Sequence, residues 1–475
     1  MSQNPISSLI PRGSLGLKLL LVCLLVLVMG IPLLLVNGLV FERQTRAGQV
    51  TAEIGAKAGG SQVVGGPMLL VPYQRTIETT DDQGRTQRRS ERGSFVVFAE
   101  TGAADTSLVV QDRRLGIYRA ATYNATTEFD ASFRPAAALE GIDPAYRFDW
   151  RQARIVMFVR DSRSIRNAAE LRFADGETAT LEPISDLSLA APAPGGDYTR
   201  PGVSSAAQYE LSSTLQAFAA PARFANGAPS DFSVETRLEL TGAQRFAIAA
   251  FAQDTSAAIR GDRSDARAEG YFQSTEALEL SEAGFVVSWR VPFVARGMEK
   301  AADLNSFNLG LAAQRDMGVS FVASDDIYQG VARAVRYAIM FIGIVFLATL
   351  IFEAVSGKKA HPAQYILVGL AQCVFYLLLL SLTELIGFSL AFVLAAGATV
   401  GLLAYYAGAA FNSRDVGLRA LASLAALYGA MYVLMTLEDF ALLAGSVVAF
   451  AVLTAAMLAT RRINWYGKGS VEEAG

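Results

Sequence analysis

Hydrophobic and polar positions fall along this chain in three regimes. Residues 17–40 are apolar almost without interruption, residues 41–330 alternate in short runs broken by Gly, Asp and Asn, and residues 333–460 are again nearly continuously apolar. A bilayer core of about 30 Å takes roughly 20 residues of helix, so 17–40 predicts one transmembrane helix, kinked at Pro32. Arg12 and Lys18 stand before it as in a signal peptide, but no small-residue cleavage site precedes Phe41-Glu42-Arg43. The segment therefore reads as an uncleaved signal anchor. Breaks at 356–363, 383–387, 411–417 and 436–440 divide the C-terminal region into five helices, near 334–354, 364–384, 388–410, 418–436 and 440–460.

The middle region carries the strand signature. Runs at 62–73, 94–99, 108–110, 154–159, 232–240 and 285–294 are rich in alternating or β-branched residues and bounded by turn residues, which predicts a β-sandwich or a related two-sheet fold. Ala191-Pro192-Ala193-Pro194-Gly195-Gly196, within 187–206, reads as a linker between two β subdomains. Arg85, Arg88, Arg89 and Arg92 beside Asp81 and Asp82 read as a solvated hairpin tip. The fold class is thus a membrane α+β protein: a cytoplasmic N-terminus (1–16), a signal-anchor helix (17–40), a mostly-β extracytoplasmic domain (41–330), a five-helix transmembrane domain (331–466) and a cytoplasmic tail (467–475).

Charge fixes the expected orientation. The 475 residues carry a net charge of only −3, which gives no sign of nucleic-acid binding. Residues 41–330 hold 30 basic and 37 acidic groups, whereas the apolar remainder holds 11 basic and 7 acidic. With the N-terminus inside, Arg12, Lys18, Lys358, Lys359, Arg414, Arg419, Arg461, Arg462 and Lys468 all become cytoplasmic, as the retention of Lys and Arg in cytoplasmic loops requires. Glu384, Glu438 and Asp439 then sit in outer turns, and Arg333 and Arg336 at the outer mouth of the second helix, so these five are expected to form a charge cluster at the outer membrane face.

The residue inventory narrows the chemistry. Cys23 and Cys373 lie inside apolar runs and the lone histidine is His361, so residues 41–330 contain neither residue type. No Ser-His-Asp, Cys-His or ordinary zinc site is available there, and neither Lys57 nor Lys300 has the serine three residues earlier that a Ser-Lys hydrolase needs. No catalytic, cofactor-binding or metal-binding residue is assigned; paired carboxylates remain for a carbohydrate-active enzyme. In the third helix Tyr365, Gly369, Gln372, Tyr376 and Thr383 recur at helical spacing and form a weakly polar stripe. Gly397-x-x-x-Gly401 and Gly429 predict close helix contact. Tyr337, Tyr405, Tyr406, Trp465 and Tyr466 read as interfacial anchors. No span has a central charge, and Glu353 falls at the cytoplasmic end.

The segments 65–73 (Gly-Gly-Pro-Met-Leu-Leu-Val-Pro-Tyr), 361–371 (His-Pro-Ala-Gln-Tyr-Ile-Leu-Val-Gly-Leu-Ala), 375–381 and 438–446, with Thr460-Arg461-Arg462-Ile463-Asn464-Trp465-Tyr466, resemble the inner-membrane protein CreD family. The resemblance runs through essentially the whole chain. It implies a role in cell-envelope integrity, membership of a carbon-source-responsive regulon, and tolerance to some colicins and β-lactams, with no catalytic residues to carry over. Thr383-Glu384-Leu385 departs from the Ser-Glu-His pattern expected of the family, and residues 260–273 lack its Trp- and Pro-rich segment.

The expected function is therefore a non-enzymatic envelope-integrity or stress-response protein. Its outer domain would be a binding module for an envelope protein or glycan, and its helices would be solvated by membrane lipids. A lipid or small-molecule transporter is the alternative, with a polar cavity between the third, fourth and fifth helices. A carboxylate enzyme is the second alternative, with a cleft holding two or more carboxylates in the outer domain.

Overall fold

A computed structural model describes residues 15–80, 86–184, 215–224, 227–304, 307, 309–321, 325–356, 360–436 and 441–461. The chain divides into a helical unit (residues 1–48 and 324–475) and a sheet-rich unit (residues 49–323).

Helix α1 runs unbroken over Leu15–Lys57, well past the expected end at residue 40. The chain after Phe41 leaves the apolar run without leaving the helix, because Glu42, Arg43, Gln44, Arg46, Gln49, Glu53 and Lys57 are sound helix formers that outweigh Gly48 and Gly55, and no residue there is proline. The stop comes at Gly59 and Gly60, whose positive φ values of 102° and 68° let the Gly60 amide turn back onto the Gly55 carbonyl at 2.7 Å. Within the helical unit Val22, Met29, Leu33, Val36 and Val40 are buried at helical spacing. Leu20, Leu24, Leu27, Ile31, Leu34 and Leu35 point outward instead, as a lipid-facing helix requires.

The other long helices are α2 (Asp325–Ser356), α3 (Pro362–Ile386), α4 (Phe388–Ala410), α5 (Arg414–Thr436) and α6 (Ala441–Thr460). Helices α1 to α5 are long and apolar enough to cross a membrane; in α6 the described apolar stretch, Gly445–Ala455, is shorter. His361 caps α3, its ring nitrogen accepting from the Ala363 amide, and Gly387 alone (φ 80°) turns α3 into α4. The expected glycine contacts are corrected here. Nothing stands within 4 Å of a Cβ placed at Gly397, Gly401 or Gly429, because the motif faces outward. Close approach occurs at Gly369, against Met29 and Phe346, and between Gly408 and Gly417.

Among the described residues, the sheet-rich unit contains seventeen strands. The first five are β1 (Gln62–Thr80), β2 (Thr86–Leu115), β3 (Tyr118–Phe133), β4 (Tyr146–Phe148) and β5 (Arg154–Val159). Next come β6 (Glu170–Phe173), β7 (Thr178–Thr180), β8 (Glu182–Ile184), β9 (Gln216–Pro221), β10 (Phe232–Ala243) and β11 (Arg245–Ala249). The last are β12 (Ala252–Gly261), β13 (Ala266–Gly270), β14 (Glu279–Ser281), β15 (Gly284–Val291), β16 (Ala301–Asp303) and β17 (Asp316–Phe321).

They form two sheets that share β2. In the first, β1 pairs on one side with β5 and β4 and on the other with β11 and the start of β2; β9 and β8 extend it beyond β5, β17 and β13 beyond β11, and β16 flanks β2. The second runs β14-β15-β12-β2-β3-β10-β6-β7. Side chains from both sheets, among them Leu69, Ile155, Phe246 and Met317 from the first and Leu108, Phe129, Ile259 and Trp289 from the second, make one core. A second apolar cluster covers the far face of the first sheet, where Phe98 and Phe158 meet Ala312 and Ala313. β8 and β9 pair with each other, so the stretch between them, which holds the expected linker and lies outside the described residues, connects neighbouring strands of one sheet. β15 ends at Val291 rather than at 294, because Pro292 starts a short helix, Phe293–Arg296.

Phe251 sits where the chain passes from β11 in the first sheet to β12 in the second, and it is 1% exposed. Its ring fills the space a Cβ would take at both Gly66 (2.5 Å) and Gly102 (2.5 Å), and the Phe158 ring lies 2.1 Å from the corresponding point at Gly65. The Gly65-Gly66 pair therefore answers a packing requirement: two aromatic rings lie directly on the β1 backbone.

Candidate functional site

Three features have the makings of a site: the polar contacts of the helical unit, a cavity among its helices, and a trough on the second sheet.

In the helical unit the polar contacts cluster at two levels of α1, around Lys18 and around Arg43. At one end Lys18 donates to Glu353 of α2, whose other carboxylate oxygen accepts from the Tyr365 hydroxyl of α3 at 3.3 Å. Glu353 is only 5% exposed. At the other end Arg43 stands 3.7 Å from Glu384 of α3, which also accepts from the Tyr328 hydroxyl of α2 at 3.1 Å. Along α1 the two basic groups are about 37 Å apart at the helical rise, and Tyr328 and Glu353 are about as far apart along α2. Three helices are thus pinned together at both ends.

Of the expected outer charge cluster, the structure brings Glu384 to Arg43 and Tyr328. Arg336 is exposed, Arg333 is half-buried one turn away on α2, and Glu438 and Asp439 lie outside the described residues. Arg43 and Tyr328 were missed because position in a sequence marks a boundary charge but not its partner on another helix. The expected stripe of α3 does face inward: Tyr365, Gly369, Gln372, Tyr376 and Thr383 are all buried. Its hydrogen bonds are spent on packing. The Gln372 amide reaches the Val368 carbonyl at 3.5 Å, Thr383 donates to the Leu379 carbonyl at 2.5 Å, and the Tyr376 hydroxyl meets the Met431 sulfur at 3.8 Å.

A cavity of about 490 Å³ lies between α2, α3, α4 and α5 at the end that carries Glu353. It is walled mainly by aliphatic and aromatic side chains such as Val345, Val368, Leu403 and Leu424, and among the described residues Arg419 is the one charged residue lining it. Gln372 and Tyr376 are not among its walls.

The trough lies on the outward face of the second sheet and measures about 920 Å³. Strand register places Asp105 of β2 directly opposite Glu128 of β3, and Asp130 of β3 directly opposite Glu235 of β10. Beside them Ala103, Ser256, Ala258 and Ser288 keep the floor low. Arg260 pairs with Asp105, and Arg237 reaches Glu128 at 3.7 Å and Glu239 at 2.9 Å. Among the described residues Asp130 and Glu235 have no ion-pair partner, although Arg172 of β6 stands opposite Glu235 in register. The carboxylates are well exposed, Asp105 at 53% and Glu128 at 67%. Among the described residues no group of three or more His, Cys, Asp or Glu is arranged to hold a metal ion.

Both units fall within one family match: the model described as "Inner membrane protein CreD" covers residues 14–466. The chain belongs to the CreD family. Inner membrane protein CreD of Escherichia coli (strain K12) is 27% identical to it over 449 residues, which cover 93% of this chain and 91% of that protein. As a CreD-family chain it is an inner-membrane protein with several helices able to span the bilayer and a large sheet-rich unit, and the family name carries no enzymatic activity. Every residue of the trough and of the cavity falls inside the region matched to CreD.

Proposed function

We propose that this protein supports cell-envelope integrity as a binding protein, with the sheet-rich unit in the periplasm, both termini in the cytoplasm, and the trough as the surface that engages an envelope component. The observation that carries this reading is the pair of like-charged cross-strand couples, Asp105 with Glu128 and Asp130 with Glu235, side by side on one face. Directly opposed like charges destabilise a strand pair; Arg260 and Arg237 offset this at Asp105 and Glu128, so Asp130 and Glu235 above all favour a partner that supplies cationic or hydrogen-bond-donating groups. A catalytic acid would need a desolvated carboxyl group, and the exposure of these carboxylates favours binding over hydrolysis.

The test is a single cysteine at Ser256, on the floor of the trough, with Cys23 and Cys373 changed to serine. Probed in intact envelopes from the outside, Ser256→Cys should crosslink to one recurrent protein or glycan, and Asp130→Asn with Glu235→Gln should reduce that adduct at least fivefold at equal abundance. An inaccessible cysteine, an accessible one without a defined adduct, or an adduct indifferent to the two charges would overturn the reading.

A further inference from the structure

We infer that the cavity among α2 to α5 is a binding site for an anionic membrane lipid, one acyl chain lying in the cavity and the headgroup on Arg419. The volume lies within the range of built ligand sites, about 300 to 1,000 Å³. If each methylene takes about the 30 Å³ that a water occupies in the liquid, some 16 carbons fit, close to one fatty-acyl chain.

The walls decide the chemistry of the chain end. Ile344, Val345, Phe352, Val368, Leu403 and Leu424 offer water no partners, and although Thr349, Gln364, Tyr365 and Ser423 also line the wall, its surface is mainly apolar and suits a hydrocarbon chain. An empty cavity forfeits dispersion contacts that a hydrocarbon chain restores. The opening decides the charge. Among the described residues Arg419 is the charged group in the lining and no carboxylate lines it, and Glu353 near by is taken up by Lys18 and Tyr365. Arg414 opens α5 and Arg419 lies in its second turn, with Asp415 as the acidic residue of the first turn, so Arg419 itself is the cation the cavity offers to an anion. A phosphate at that point would neutralise the Arg419 guanidinium, and Tyr406 lines the same cavity.

Of the polar stripe of α3 only Tyr365 lines the cavity, which favours a resident lipid over a transport path. Further along the same helices Phe375, Tyr376, Phe392 and Tyr428 are all buried, with Phe375 packed edge-on against Tyr376 and Tyr428 at 4.9 Å and against Phe392 at 5.6 Å. Met431, 1% exposed, closes the remaining gap beneath Tyr376.

The experiment uses the full chain purified in detergent, with phosphatidylglycerol or phosphatidylethanolamine of identical acyl chains added, read by native mass spectrometry and by thermal stability. One phosphatidylglycerol should remain bound at least tenfold more persistently than phosphatidylethanolamine and should raise the melting temperature. Arg419→Gln should abolish that preference while Arg461→Gln, an exposed cation outside the cavity, preserves it. Ala407→Phe, which fills the cavity, should remove lipid retention without loss of the folded state. Inorganic phosphate alone should leave the melting temperature unchanged. Equal retention of the two lipids, preference surviving Arg419→Gln, retention surviving in folded Ala407→Phe, or a full shift from phosphate alone would each overturn the inference; should Ala407→Phe fail to fold, the Arg419→Gln comparison decides.

Discussion

Asp161 shows how single residues hold the sheet-rich unit. Its carboxylate accepts from the Arg163 guanidinium and from the Arg163 amide at 3.0 Å, capping the short turn Ser162–Ser164. The guanidinium hydrogen bond, opposed by partial burial, holds the Asp161 carboxyl below the usual carboxylate range. A carboxyl whose folded pKa lies below its unfolded value contributes stability that is complete above the unfolded value and is lost as pH falls through the folded one. Urea-dependent proteolysis of the full chain should therefore show Asp161→Asn less stable than wild type near pH 7, with the gap narrowing as pH falls below the ordinary carboxylate range and staying under about 1 kcal/mol throughout because Arg163 is mostly exposed. A gap that persists at low pH would assign the effect to lost packing. Arg245 is a deeper case. Burial alone would lower its pKa, yet Asp316 and Glu269 keep it raised, and the three groups tie β11, β13 and β17 together.

At the scale of elements, the crossing at Phe251 is the least tolerant point. Gly66→Val should destabilise the protein by about 1–3 kcal/mol, because the new side chain overlaps the ring. Combining it with Phe251→Ala should lose less than the sum of the two single changes, read by the same proteolysis assay; strict additivity would show that the contact is not the cause. The strands were legible from alternation, and β5 is found where residues 154–159 were expected. The inward stripe of α3 was legible for the same reason, since helical spacing fixes a face. The extent of α1 was not, because polarity after residue 40 signals departure from lipid and not departure from helix. Nor was the idle Gly397-x-x-x-Gly401 motif, because spacing states which residues share a face and not which face meets a neighbour. The like-charged pairs of the trough depend on register across β2, β3 and β10, and Asp130 and Glu235 stand more than a hundred positions apart, so alternation alone does not reveal them.

For the whole molecule, the Lys18–Glu353 pair makes the helical unit asymmetric in what it tolerates. Lys18→Met leaves Glu353 buried without its cation, whereas Glu353→Gln leaves a half-exposed lysine that reaches water on its flexible stem. Unfolding of the purified chain in graded detergent should find Lys18→Met the more damaging, by about 1 to 2 kcal/mol, with the double variant milder than Lys18→Met alone. If Glu353→Gln proved the worse, the pair would not be what joins α1 to α2. The strand order carries a consequence of another kind, for biogenesis. β1 leaves α1 almost at once, but the start of β1 waits for β11 and β11 waits for β17, which is finished only at Phe321, just before α2 begins. Such distant pairings fold slowly, so during synthesis the emerging chain holds unsatisfied strand edges until its second membrane helix is about to enter the bilayer. Unpaired edges invite adhesion to other chains, and this protein should therefore lean on chaperones outside the membrane more heavily than its final stability would suggest.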